Sequence, residues 1–303
     1  DDLSVPDATV NVVIDDEAPN QPEIDEWAIC KNIFLQPGAT LTHNDDWFDV
    51  YGSFDAGFGQ FTTTGNSASL YFFGEGNVNW WDDNQNDTFN NVYVSKNAVD
   101  DVVTIRNSIT TGGLISFSSG TVVLSAGVTL DVDYAAQNAV TFGSQSLLTL
   151  SDDRTIHTTG GFIFADGSQS SISGGTLICG MDFQVNNNPS FDHQFTGTTL
   201  VFEGTIDQSI VENDGGSLLL HNLQIDDPNT TLYIANHDLN LKGDVTISSG
   251  TLSSWDSPDQ NESRTISLKG DWANYAGESG FEPGDGRVIF NGPGHQYIAT
   301  DET

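Results

Sequence analysis

Leu114-Ile-Ser-Phe117, Thr121-Val-Val-Leu124, Val128-Thr-Leu-Asp-Val132, Val140-Thr-Phe142 and Leu147-Leu-Thr-Leu150 follow one another, with Gly113 ahead of the first and Gly120, Gly127 and Gly143 between them. Phe162-Ile-Phe164 and Thr176-Leu-Ile-Cys179 extend the series. These runs are short, rich in Val, Ile, Thr and Phe, and bounded by Gly, Ser, Asn or Asp, which is the pattern of brief strands. No window keeps apolar residues at helical spacing beyond two turns. Antiparallel sandwiches space their strands by roughly 8–12 residues. The tighter pitch here suits a chain that turns a corner after each strand and stacks coil upon coil. The spacing predicts an all-β chain, a right-handed parallel β-solenoid (β-helix) with about 20–25 residues per coil. It covers residues 24–303, with 1–23 as an N-terminal cap strand or linker.

Internal recurrences point the same way. Cys30-Lys-Asn32-Ile33-Phe-Leu35, Phe89-Asn-Asn91-Val92-Tyr-Val94 and Leu220-His-Asn222-Leu223-Gln-Ile225 share one pattern: apolar, any residue, Asn, apolar, any residue, apolar. A second motif recurs as Leu70-Tyr-Phe72-Phe-Gly74, Leu200-Val-Phe202-Glu-Gly204 and Val288-Ile-Phe290-Asn-Gly292. Gly52-Ser-Phe54 is matched by Gly270-Asp-Trp272. Such self-similarity marks a stacked-repeat architecture. Asn tolerates left-handed backbone and bonds its own backbone at turns, so Asn32, Asn91 and Asn222 read as corner residues rather than ligands. The 303 residues include 31 Gly and 9 Pro, ample material for turns. A solenoid can exceed the usual domain length because each coil needs only its neighbours.

The stretch from Val10 to Gly76 resembles the β-helical repeat modules of very large secreted or cell-surface proteins of Bacteroidota-type bacteria. The resemblance rests on Val10-Asn-Val-Val-Ile14, Pro19 to Pro22, Cys30-Lys-Asn32-Ile33, Gly38-Ala39-Thr-Leu41, Gly52-Ser-Phe54 and Leu70-Tyr-Phe72-Phe-Gly74. Gly270 to Gly292 repeats its latter half. The resemblance implies an extracellular, adhesin-like or filament-forming stalk cut from a larger polypeptide, and it brings no catalytic residues. After Val288-Ile-Phe290-Asn-Gly292 no further copy of the Asn motif follows, so the next coil is expected from a continuing chain or from a partner. Neighbouring solenoid units are therefore the expected partners.

Forty-three acidic residues against eight basic ones give a net charge of −35. A nucleic-acid partner needs a basic footprint, and an anionic membrane surface is disfavoured for the same reason. No apolar run is long enough to insert in a membrane as a helix. Asp82-Asp-Asn84-Gln-Asn86-Asp87 alternates oxygen-bearing side chains like the start of a calcium loop, making Asp82, Asn84 and Asn86 the candidate calcium ligands. The segment lacks the turn Gly and the distant bidentate Glu of such loops. Cys30 and Cys179 are too far apart in a solenoid to form a disulfide and read as small core residues.

Parallel β-helices also serve as polysaccharide lyases and hydrolases, which gather basic and acidic groups, or close carboxylates, on one face. Here Lys31, Lys96, Arg106, Arg154, Lys242, Arg264, Lys269 and Arg287 are scattered singly. The six histidines show no short metal-ligand spacing. Neither a nucleophile elbow nor a phosphate loop is present. Trp80 and Trp81 are the candidate sugar-stacking pair, with surface glycans as the partner. The sequence thus favours a non-catalytic structural or adhesive segment of a cell-surface stalk or filament. A carbohydrate-binding β-helix comes next, and a polysaccharide-cleaving enzyme third.

Overall fold

The computed structural model describes residues 6–17, 20–83, 87–186, 193–213, 218–258 and 262–300. Successive short strands lie on three different faces. Asn32–Leu35 opens a first face, Thr40–His43 a second and Trp47–Val50 a third. Each pairs in parallel with the strand one turn later, Phe54–Asp55, Gln60–Thr63 and Ser69–Gly74. This pattern runs through about 12 turns, to Phe281–Glu282, Arg287–Phe290 and Ile298–Thr300. Every strand ladder among the described residues is parallel; the one antiparallel contact is an isolated bridge between Trp255 and Ser263. A coil takes 20 residues from Cys30 to Val50 and 27 from Val245 to Trp272. At about 4.8 Å per coil the body is on the order of 60 Å long. Pairing starts at Asn11–Ile14, which lies on Asn32–Leu35, so the ladder begins ahead of position 24.

Alternation along each strand sends every second side chain inward. On the third face the inward residues Val50, Phe72, Val94, Phe117, Phe142 and Phe164 stack in register. The Phe117, Phe142 and Phe164 rings lie nearly parallel, with centroids 5.1 and 4.7 Å apart. Complete burial of such side chains stabilises the fold by about 1.5–3 kcal/mol each. Cys30 and Cys179 are buried free thiols, and burial pushes both up to about 12.

The recurring Asn motif marks a type of corner, not a face. Asn32 enters the first face, Asn91 the third and Asn222 the second. Each side-chain oxygen accepts a backbone N–H from the next coil: Ser53 at 2.7 Å, Leu114 at 3.2 Å and Asp244 at 3.0 Å. None of the three has positive φ, so the corner bond runs between coils rather than within the residue's own turn. Asn32 also donates to Asn11 Oδ1 at 2.6 Å. A Cβ on Gly52 or Gly243 would collide with the oxygens of Asn32 or Asn222, which explains why a Gly stands one coil after each of these two asparagines. Asp244 and Asp271 continue this corner ladder toward the C-terminal end, accepting the Asp271 and Tyr297 N–H groups.

Some strands are longer than the sequence pattern suggests, because they bend round a corner without breaking. Ile115–Leu124 shifts register after Phe117 and turns at Gly120, whose φ is +94°. Other strands give no apolar signal. Thr155–Thr158 and Gln169–Ile172 are mostly Thr, Ser, His and Gln, since a short strand sends only one or two residues into the core.

The two ends differ. At the N-terminal end the inward-facing Ile14 and Ile24 are only 7% and 9% exposed. Pro6, Pro22 and Trp27 help to line a small hollow beside them. At the C-terminal end Phe290 lies on Leu268 and Ile298 on Trp272. Phe290 is 37% exposed and Ile298 65%, whereas their ladder partners are buried.

Candidate functional site

Trp80 and Trp81 are adjacent in the strand Val78–Trp81 and therefore face opposite ways. Trp80 points into the core and is wholly buried, packed against Phe72 and Phe89 at centroid distances of 5.4 and 5.2 Å. It offers no ring face to a sugar. Trp81 points outward and is half-exposed. It is the third residue of an outward row on the first face, where Phe34 pairs with Asp55 and Asp55 with Trp81. The next coil places Arg106 beside this row, its N–H bonded to the Trp80 carbonyl at 2.9 Å. Phe34, Asp55, Asn79, Trp81, Arg106 and Asn107 line a cleft of about 650 Å³. Phe58 meets Trp81 edge-on at 5.4 Å and 80°. Apart from Trp81, nothing in the sequence groups these residues as a site. They are spaced by coil lengths, and only a correct register brings 34, 55, 81 and 106 together.

Asp82 begins the corner that follows, and it is nearly buried. Asn84 and Asn86, the other candidate calcium ligands, lie outside the described residues. Asp82 instead neighbours Asp87 in a pocket of about 340 Å³, whose wall includes Ser108, Thr110, Thr129 and Asp131. Among the described residues no group of three His, Cys, Asp or Glu converges to hold a metal. Burial first, then the Asp82 carboxyl beside it, pushes Asp87 up to about 8. A carboxyl raised in this way binds a proton in the folded chain over a pH range where the unfolded chain has lost it. The contribution of Asp87 to folding stability is therefore full below about pH 4 and is lost as pH rises to about 8. Asp87→Asn removes that dependence. In thermal melts the variant is expected to match the parent near pH 4 and to exceed it by on the order of 5 °C at pH 8. A difference that does not change with pH would contradict this assignment.

On the second face His157 bridges two carboxylates, with Nδ1 2.7 Å from Asp131 and Nε2 3.0 Å from Glu203. Both ring nitrogens are engaged, tying His157 to Asp131 one coil before it and to Glu203 two coils after it. On the third face Tyr71 stacks on Tyr93 at 4.5 Å and 11° and on Phe73 at 5.3 Å and 8°. These rings cover one another's faces, so they reinforce the ladder more than they open a stacking platform.

The fold and surface together define a parallel β-solenoid with an aromatic and polar cleft on a side face. No protein family, curated protein or solved structure matches the chain. No helix among the described residues is long and apolar enough to cross a membrane.

Proposed function

We propose that this chain is a non-catalytic structural segment of an extended β-solenoid displayed outside the cell, with a further β-coil stacked on its C-terminal end. The observation that carries the reading is the contrast between the two ends. Inward residues of the first coil are covered by the chain itself, while Phe290 and Ile298 of the last coil stand exposed over buried partners. The same rim presents the free edges of Arg287–Phe290 and Ile298–Thr300, and an unpaired strand edge is a template for another strand. The charge of −35 supports the extracellular, stalk-like reading. It opposes side-by-side clumping, yet salt screens it within about 8–10 Å and leaves end-on contact open. The likeness of the Asn and Gly motifs to cell-surface repeat modules points the same way.

Sedimentation velocity and negative-stain imaging of the chain test the proposal. Rising concentration is expected to give end-on assemblies longer than the roughly 60 Å of one body. The double substitution Phe290→Asp, Ile298→Asp is expected to return monomers. A screen against soluble polysaccharides is expected to show no cleavage. A strictly monomeric parent, or reproducible glycan turnover, would overturn the reading.

A further inference from the structure

We propose that the cleft on the first face binds a neutral glycan chain, with Trp81 and Phe34 against the sugar rings and Asp55, Asn79, Arg106 and Asn107 bonding the hydroxyls. This goes beyond the structural role and does not depend on it.

The aromatic groups are held in advance of binding. Trp81 lies over Gly57, where an added Cβ would come within 2.9–3.1 Å of three indole atoms. The lack of a side chain at 57 therefore lets the indole lie close to the backbone, with Phe58 abutting it edge-on. Phe34 sits two rungs away in the same outward row. Two rungs are about 10 Å, which is the reach of a disaccharide along the solenoid axis. Both rings belong to paired strands, so little ordering is left for a ligand to impose.

The polar groups are oriented as well. Arg106 Nε donates to Asn79 Oδ1 at 2.6 Å, and the Asn79 backbone N–H donates to Ser53 Oγ at 3.0 Å. Asn107 Nδ2 donates to Asp83 Oδ1 at 2.8 Å. Asp55 Oδ1 accepts the Gly57 N–H at 3.3 Å. Arg106 makes no ion pair among the described residues, although acidic groups outnumber basic ones by 43 to 8. Its guanidinium thus keeps terminal N–H groups for a ligand in a cleft that already holds a carboxylate acceptor. Planar, fixed donors and acceptors beside an aromatic ring match the vicinal hydroxyls and apolar face of a pyranose.

Charge selects the class of glycan. Asp55 balances Arg106 inside the cleft, Asp83 stands beside Asn107, and the whole chain is strongly anionic. A uronate or sulfated polymer would meet net repulsion, whereas a neutral glycan would not.

Isothermal titration and affinity electrophoresis with cello-, laminari-, xylo- and manno-hexaose, beside polygalacturonate and alginate, test the inference. At least one neutral hexaose is expected to bind, and neither uronate polymer. Trp81→Ala and Arg106→Ala should each weaken binding about tenfold, while Tyr93→Ala on the third face leaves it unchanged. Because Trp81 is half-exposed, circular dichroism should show an intact fold. The 61%-exposed Phe58, replaced as Phe58→Ala, gives a second variant with an expected several-fold loss. Absence of binding to every neutral hexaose, equal affinity in Trp81→Ala, or binding confined to the uronates would overturn it. These readouts do not involve the C-terminal end, so either proposal can fail alone.

Discussion

Replacing Phe142 by alanine is expected to destabilise the chain by about 3–5 kcal/mol, the range for truncating a buried aromatic. Phe142 is wholly buried near the middle of the body, with Phe117 on one side and Phe164 on the other. Two ring contacts are lost at once, each worth about 0.5–1.5 kcal/mol beyond the area they bury. The gap also resists collapse. Phe142 is bonded in register to strands above and below, so the backbone cannot sink into the space without breaking a ladder. Guanidinium unfolding followed by far-ultraviolet circular dichroism measures the loss. Phe142→Leu should fall between alanine and the parent, and the exposed Tyr134→Ala should stay within about 0.5 kcal/mol of it. A loss below about 1 kcal/mol for Phe142→Ala would mean that the coils move independently of the rung spacing.

Arg264→Met is expected to destabilise by a comparable amount, about 3–5 kcal/mol, because it strands a buried carboxylate. The Asp256 side chain is only 4% exposed and takes Arg264 Nη2 at 2.8 Å on one oxygen. Its other oxygen accepts the Asn236 backbone N–H at 2.5 Å. This pair stands in a polar section of the interior. The row of Val50, Phe72 and Phe142 ends on the buried Glu212, and His237 lies close enough to feel its charge. Burial lowers His237 below its usual value despite that carboxylate, so neutral imidazole is favoured there. Replacing both partners, as Asp256→Leu with Arg264→Met, should recover most of the loss, since a buried ion pair contributes little over an apolar pair of similar volume. The double-mutant cycle reads the coupling directly. Additive losses would show that Arg264 acts through packing of its stem and not through Asp256.

Much of the scaffold could be read from the sequence, because its determinants are local. Glycine-bounded runs such as Val128 to Val132 and Phe162 to Phe164 became strands close to where the pattern put them. The corner asparagines were recognisable by their apolar neighbours. Their partners were not, since Ser53, Leu114 and Asp244 sit a full coil later, and coil length varies from 19 residues between Glu23 and Thr42 to 29 between Leu252 and Phe281. The candidate site suffered from the same variation. Trp80 and Trp81 looked like a pair, yet the two-residue period of a strand already forbids both from facing solvent. The sequence could have separated them, and only the burial of Phe54 and Phe72 beside Trp80 decides which one is lost to the core. Phe34, Asp55 and Arg106 join Trp81 through a register that no single window contains.

The ladders also set a mechanical character. Bonds between coils run along the long axis, so a pull along that axis would load one coil's contacts at a time rather than all together. In the chain on its own the last coil, with Phe290 and Ile298 uncovered, is the least held and would peel first. Each coil of 19 to 29 residues would then release roughly 60–105 Å of extended chain in place of a rise of about 5 Å. Were the chain part of the stalk proposed above, such unspooling would let the body lengthen many-fold under load.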